Sequence, residues 1–203
     1  MTTVISAANP GKFDDWEKKK GKERAEYIKL CATDRGNKLH KVIEVYLQNG
    51  DYKSLDEFKD IKIQWMFKSA KFFLDRKFNN IICQERRMLS RRFKIAGTTD
   101  YIGDAEDELA VADYKGSAKE KPEEWIEDYF VQLSGYWAMF VETTGIVPKK
   151  LVCFIMTEQM EIQIVERRNI MFYLEKLNDY ATLFHKQYSY DWHWSRTGWQ
   201  VYL

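Results

Sequence analysis

The chain has 203 residues, 45% hydrophobic and 31% charged, enough for one domain with a sizeable core and a modest helical extension, and too few for two full domains. That composition excludes disorder, and a formal net charge of +1 excludes a globally basic coat for nucleic acid, so any phosphate contact must come from local patches. Met1 to Pro10 lacks the basic start and apolar stretch of a signal peptide, and no run of about 18 apolar residues occurs anywhere, which predicts a cytoplasmic protein that is neither secreted nor membrane-spanning.

In chain order, a helix is expected over 22–48, with Leu30, Leu39, Val42, Ile43, Tyr46 and Leu47 at helical spacing, a break near Asp34-Arg35-Gly36, and Asn49-Gly50 as a stop signal. A second helix is expected over 55–78, with Phe58, Ile61, Trp65, Phe72 and Phe73 on its buried stripe and Asn79-Asn80 closing it. The pattern then turns to strands at 81–89, 93–102 and 109–115, a meander whose acidic turn is Gly103-Asp104-Ala105-Glu106-Asp107. Pro122, Glu123 and Glu124 open a helix to about Thr143, which Gly145 and Pro148 end. Strands at 151–156 and 161–165 follow, then a helix over 169–188 with Ile170, Leu174, Leu177 and Leu183 inward. The fold class is therefore α/β: a central mixed sheet containing a three-strand antiparallel meander, flanked by helices, with a helical N-terminal part (1–80), a core (81–188) and an aromatic tail (189–203). Cys31, Cys83 and Cys153 form no Cys-x-x-Cys pair, predicting reduced, mostly buried thiols and neither a zinc ribbon nor a disulfide framework.

The meander carries Asp100 on one strand and Asp113-Tyr114-Lys115 on the next. Two carboxylates and a backbone carbonyl are a plausible protein share for a hard divalent cation, and alternation puts Asp113 and Lys115 on one strand face. The ammonium would then sit beside the cation and its bound water, where a lowered lysine pKa would serve proton removal. Asp-x-Lys alone is ordinary surface charge; its company raises its meaning. His40 follows Gly36 and precedes Glu44 by four residues each, so all three share a helix face, and Gln132 and Tyr136 have the same spacing.

Taken together, Gly36-Asn37-Lys38-Leu39-His40, Gly97-Thr98-Thr99-Asp100, Asp113-Tyr114-Lys115 and Gln132-Leu133-Ser134-Gly135-Tyr136 resemble, in order, the pattern of the RecB-like branch of the PD-(D/E)XK nucleases. Trp16 through Glu23 and Lys115-Gly116-Ser117 further resemble compact single-domain exonucleases of the mitochondrial genome maintenance type and their phage relatives. The resemblance implies a restriction-endonuclease-like core in a single nuclease domain spanning 1–203. It implies Mg²⁺ or Mn²⁺ bound by His40, Asp100, Asp113 and the Tyr114 carbonyl, Lys115 handling the nucleophilic water, and Gln132 and Tyr136 positioning substrate or lysine. Glu85, and Glu44 on the His40 helix face, are candidates for support. Ser117, Lys119, Trp16, Arg91 and Arg92 are candidates for DNA contact. Some relatives hold an iron-sulfur cluster with one early and three late cysteines; no cysteine follows Cys153, so no cluster is expected. No phosphate-loop motif occurs, so no ATP is expected.

The implied activity is metal-dependent exonucleolytic hydrolysis of DNA, single-stranded in preference, in replication, recombination or repair, with proteins of those processes as partners. Seven tryptophans could furnish stacking platforms, with Trp65 and Trp137 assigned to packing and Phe13, Trp16, Trp125, Trp192, Trp194 and Trp199 left open. A structure-specific endonuclease, a non-catalytic DNA-binding module on a degenerate nuclease fold, and a helical adaptor remain as alternatives.

Overall fold

The computed structural model describes residues 1–188; the aromatic tail, with Trp192, Trp194 and Trp199, lies outside them. Two short helices, α1 (Thr2–Ala8) and α2 (Asp14–Lys20), precede the long α3 (Lys22–Leu47). Gly21, at φ 79°, makes the break between α2 and α3 in a conformation that a side chain would resist. The expected break near Gly36 is absent, because α3 runs through it. Leu39, Val42 and Ile43 are buried, whereas Leu30 is 64% exposed, so it is mainly the second half of the helix that packs on the sheet.

The second predicted helix is shorter than its periodicity suggested. Residues Tyr52–Ser54 and Asp56–Lys59 form 3₁₀ turns, and α4 (Ile61–Lys77) begins after Asp60, whose carboxylate accepts the Lys62 backbone N–H. Its buried stripe is Ile63, Met66, Phe67, Ala70 and Leu74, while Ile61, Trp65 and Phe72 are about half exposed. Both sets have helical spacing, because α4 is apolar around much of its circumference, and only the neighbouring sheet selects one. Asn79-Asn80 does not close a helix. Both lie in the first strand, where Asn80, at φ 46°, sits at a register shift.

The strands are β1 (Phe78–Ser90), β2 (Ile95–Ala105), β3 (Glu108–Ser117), β4 (Lys150–Thr157) and β5 (Ile162–Arg167), with α5 (Glu123–Thr144) between β3 and β4 and α6 (Ile170–Gln187) last. They form one open mixed sheet in sequence order, antiparallel except for the β3–β4 pair that α5 connects. The acidic turn narrows to Glu106-Asp107, both at positive φ as a two-residue hairpin requires, and Gly103 to Ala105 belong to β2. Pro122 is the N-cap of α5 and lies just outside it, and Gly145 closes that helix in the left-handed conformation.

The sheet separates two cores. Ile102, Val111 and Cys153 pack with Leu133 and Met139 of α5 and Leu177 of α6; Tyr101, Tyr114 and Phe154 pack with Leu39 of α3 and Met66 and Phe67 of α4. Leu183, expected inward on α6, is 54% exposed. Of the three thiols only Cys153 is buried; Cys83 is half-buried and Cys31 exposed. Trp137 packs against the first core, in contrast to Trp65. No helix among the described residues is long and apolar enough to cross a membrane.

One irregularity of the sheet positions everything that follows. The β2–β3 ladder ends at Tyr101 opposite Ala112. Beyond that pair β2 continues against β1 through Thr99 to Ile95, and β3 continues against β4 through Asp113 to Ser117, so the sheet forks. The fork depends on its packed base. Phe154 is fully buried and meets Phe73, Phe78 and Tyr114 edge to face. Phe154→Ala should therefore cost about 3–5 kcal/mol in urea unfolding.

Candidate active site

Asp100 and Asp113 are the first residues past the last β2–β3 pair, one on each arm of the fork. Alternation turns Asp113 and Lys115 towards α5 and Tyr114 into the opposite core. With no β2 partner, the peptide groups of Tyr114 are satisfied by side chains. Its N–H donates to Asp100 Oδ2 at 2.8 Å, and its carbonyl accepts from His40 Nε2 at 2.7 Å. The other nitrogen of His40, Nδ1, then lies 3.4 Å from Glu85 Oε1 and 3.5 Å from Asp100 Oδ1. A ring that donates at one nitrogen and faces two carboxylates at the other is held as imidazolium. Burial opposes that charge, but Glu85, Asp100 and Asp113 outweigh it and lift His40 to about 9.

Glu85 faces Asp100 across the β1–β2 ladder, whose register pairs Gln84 with Tyr101 and Arg86 with Thr99. Its φ of 46° is a left-handed conformation in the middle of a strand, a strain of the kind that persists where surrounding structure imposes it. Donor atoms of His40, Glu85 and Asp100 all lie within 4.8 Å of one another. Glu85 thus joins the group directly. Asp113, expected in the same ligand set, lies outside that trio and forms an ion pair with Lys115. Glu44 takes no part through its carboxylate, which faces Lys41 at 3.0 Å; its carbonyl instead accepts from Gln84 on β1 at 3.2 Å.

The donor set suits a hard divalent cation. Asp113 is 1% exposed, and its Oδ1 has no hydrogen-bond partner while its Oδ2 meets only the Lys115 ammonium, an expensive state for a buried anion. The Asp100 carboxylate carries charge beside it, and the Glu85 carboxylate and the Tyr114 carbonyl, both at His40, complete a set of oxygen donors. Burial, then the charge of Asp113, pushes Asp100 up to about 8. Burial also opposes the Lys115 ammonium, but Asp113 and Asp100 reverse this and hold it protonated, well above the ordinary lysine range. The lowered lysine pKa expected from the sequence is not what these neighbours produce, because the ammonium offsets the carboxylates beside it.

On α5, Gln132 Nε2 donates to the Tyr136 hydroxyl at 2.7 Å, and both residues are buried. The Tyr136 ring lies against Gly97, where an added Cβ would come within 2.8 Å of Cε1. The two motifs thus meet: the glycine three residues before Asp100 makes room for the α5 tyrosine. At Gly36 an added Cβ would meet nothing within 4 Å, so this glycine leaves open space one turn before His40. The Ser117 hydroxyl, expected to face phosphate, donates instead to the Lys119 carbonyl at 2.6 Å. Lys119 is exposed, Trp16 is half-buried on α2, and Arg91 and Arg92 are exposed at the β1–β2 turn.

Two neighbours, Tyr129 and Arg35, were not singled out from sequence, whereas Lys121 belongs with Lys119 to a basic patch that the sequence offers for DNA contact. The ammonium groups of Lys115 and Lys121 lie 5.2 and 5.8 Å from the centre of the Tyr129 ring. Tyr129 precedes Gln132 by three residues and Tyr136 by seven, so the helical spacing that singled out that pair also reaches it. Burial, then Arg35, lowers the pKa of Lys121. Arg35 donates to Glu158 at 2.6 Å and to the Gly116 carbonyl at 3.3 Å, tying α3 to the end of β3.

A mixed α/β sheet that forks around paired carboxylates and a lysine defines a class of protein with an acidic site whose donors could hold a divalent cation. The family profile of the PD-(D/E)XK nuclease superfamily matches residues 16–189, and the chain belongs to that superfamily. It is similar to a solved structure from Eubacterium rectale described as a "putative exonuclease", at 14% identity and TM-score 0.49 over 74% of this chain. The match spans 66% of that chain, less than two thirds of its length. No curated protein sequence matches significantly.

The raised values of Asp100, from 3.8 to about 8, and His40, from 6.5 to about 9, mean that the folded chain binds these protons more tightly than the unfolded chain. Their contribution to stability is present at low pH and lost as pH rises, through about 8 for Asp100 and about 9 for His40. The melting temperature of chelated protein should fall between about pH 6 and pH 9, Asp100→Asn should flatten that fall, and Mg²⁺ should raise it more at the alkaline end. Calorimetry across pH checks all three.

Proposed function

We propose that this superfamily member is a divalent-metal-dependent deoxyribonuclease, and that it acts as an exonuclease on single-stranded DNA. The observation that carries the metal-dependent reading is the buried Asp113 carboxylate, with Oδ1 unpartnered and Oδ2 met only by Lys115, set at the fork opposite Asp100. Exonucleolytic action and the single-stranded preference rest on the ordered motifs and their resemblance to compact exonucleases. The reading takes the helical part as integral to the nuclease domain, since α3 supplies His40.

Asp100, Asp113, Glu85 and the Tyr114 carbonyl would hold the cation, with His40 joining once it gives up its proton. When bound, Mg²⁺ or Mn²⁺ lowers the pKa of a coordinated water and offsets charge on the phosphate. Lys115, on the same strand face as Asp113 and held as an ammonium by Asp113 and Asp100, would orient the attacking water by donating a hydrogen bond to it and would offset charge developing on the phosphate. Tyr129 restricts the swing of that lysine, and the buried Gln132–Tyr136 pair walls the site from the α5 side. Exposed Lys119 and half-buried Lys121 border the outlet of the same fork, where they would meet phosphates on either side of the reacting one.

Purified protein should degrade end-labelled linear single strands in Mg²⁺ or Mn²⁺ and stop on chelation. Lys115→Ala should lower the rate by about 10²–10⁴-fold with an unchanged circular dichroism spectrum, and Asp113→Asn should be at least as severe. Wild-type rates in both folded variants would overturn the assignment. Cleavage of closed circular single strands would make the enzyme an endonuclease, and an RNA strand of the same sequence tests the sugar preference.

A further inference from the structure

We propose a second nucleic-acid contact, a phosphate-binding cleft between the β1–β2 turn and the last two turns of α6, separate from the fork and holding the strand that is being cut. The proposal rests on the nuclease reading for its ligand. The cleft has a volume of about 330 Å³ and takes Arg92 and Lys94 from the turn and Thr182, His185 and Lys186 from α6. Asn178, Thr182 and Lys186 lie four residues apart on one face of α6, and no carboxylate among the described residues lines the cleft. Arg92, Lys94 and Lys186 form no ion pair among the described residues, in a molecule where most lysines near an acid are paired.

The turn that presents these cations is built rather than loose. Glu142 of α5 accepts from the Ser90 hydroxyl and, at 3.0 Å, from the Arg91 backbone N–H; the Phe93 N–H donates to Ser90 Oγ at 3.0 Å. From the other side His185 Nε2 donates to the Phe93 carbonyl at 3.2 Å, and the Phe93 side chain is buried. Lys94 is held at φ 53°, a conformation that few lysines adopt. Glu142, the acid on the turn side, is thus occupied by the turn itself and does not line the cleft. Cations gathered in a fixed, acid-free cleft are suited to non-bridging phosphate oxygens.

The separation from the fork matches the reach of a strand that also occupies the fork. Lys94 precedes Asp100 by six residues of β2, about 20 Å of extended chain, on the order of six stacked nucleotides. A strand with its reacting phosphate at the fork could lay its continuing backbone along the β1–β2 arm and into the cleft.

The test compares the parent with Arg92→Ala/Lys94→Ala/Lys186→Ala and with a charge-matched control, Lys53→Ala/Lys59→Ala/Lys149→Ala, whose lysines are exposed elsewhere. Affinity for labelled single strands of roughly 4 and 16 nucleotides is read by anisotropy in calcium buffer at several salt concentrations. The cleft variant should lose about tenfold or more for the long strand, lose less for the short one, and show a log–log salt slope shallower by about 2 for three lost phosphate contacts. Parent-like affinity, an equal loss in the control, or equal losses for both lengths would each overturn the proposal. A competition arm uses tripolyphosphate: if the parent binds it tightly and the cleft variant does not, while long-strand affinity is unchanged, the cleft is a small-anion site and the strand proposal fails. Cleavage by the parent in Mg²⁺ is scored separately, so failure of the nuclease reading is seen as no hydrolysis and failure of the cleft as hydrolysis with unaltered variant binding.

Discussion

The site depends on a missing hydrogen-bond ladder. Because β2 and β3 stop pairing at Tyr101 and Ala112, the peptide groups of Tyr114 face a gap where a neighbouring strand would have been. Buried peptide groups must find partners, and here Asp100 and His40 provide them. Two ionisable side chains are thereby fixed in orientation by backbone groups rather than by flexible neighbours. The precision that a hydrolytic site demands follows from this constraint.

The same constraint concentrates charge. Asp100, Asp113 and Glu85 gather between two packed cores, where the His40 proton and the Lys115 ammonium offset their charge. The elevated values of Asp100 and His40 are the two sides of this imbalance. The left-handed Glu85 adds backbone strain to it. A fold stabilised elsewhere, by Phe154 and its aromatic neighbours and by the apolar β4, can sustain a local arrangement that is unfavourable in isolation.

Function and scaffold are divided between the two sheet faces. One core, with α5 and α6, backs Lys115 with Tyr129 and lines the site with Gln132 and Tyr136; the other, with α3 and α4, delivers His40. Arg35 joins the faces at the end of β3 through Glu158 and the Gly116 carbonyl. The β1–β2 arm extends beyond the fork and is pinned to α5 by Glu142 and to α6 by His185. On the proposed reading, a substrate strand would meet rigid elements on both sides of the reacting phosphate.

The order of elements, the mixed sheet and the meander were legible in the sequence, because alternation and helical spacing are local signals. So was the membership of His40, Asp100, Asp113, Lys115, Gln132 and Tyr136 in one ordered pattern, since each motif has a fixed internal spacing. Which apolar face of α4 is buried was not legible: Trp65 and Met66 are equally periodic, and only the sheet decides between them. Nor was the fork, which arises from where two strands cease to pair, a relation between distant residues that no local spacing records. The fork opens the gap at Tyr114 that Asp100 and His40 fill, and the β1–β2 register brings Glu85 to both of them. Sequence alone determined which residues belong to the ordered pattern of this protein; the tertiary structure decided which of them face one another, because pairing across a sheet is set by packing and not by distance along the chain.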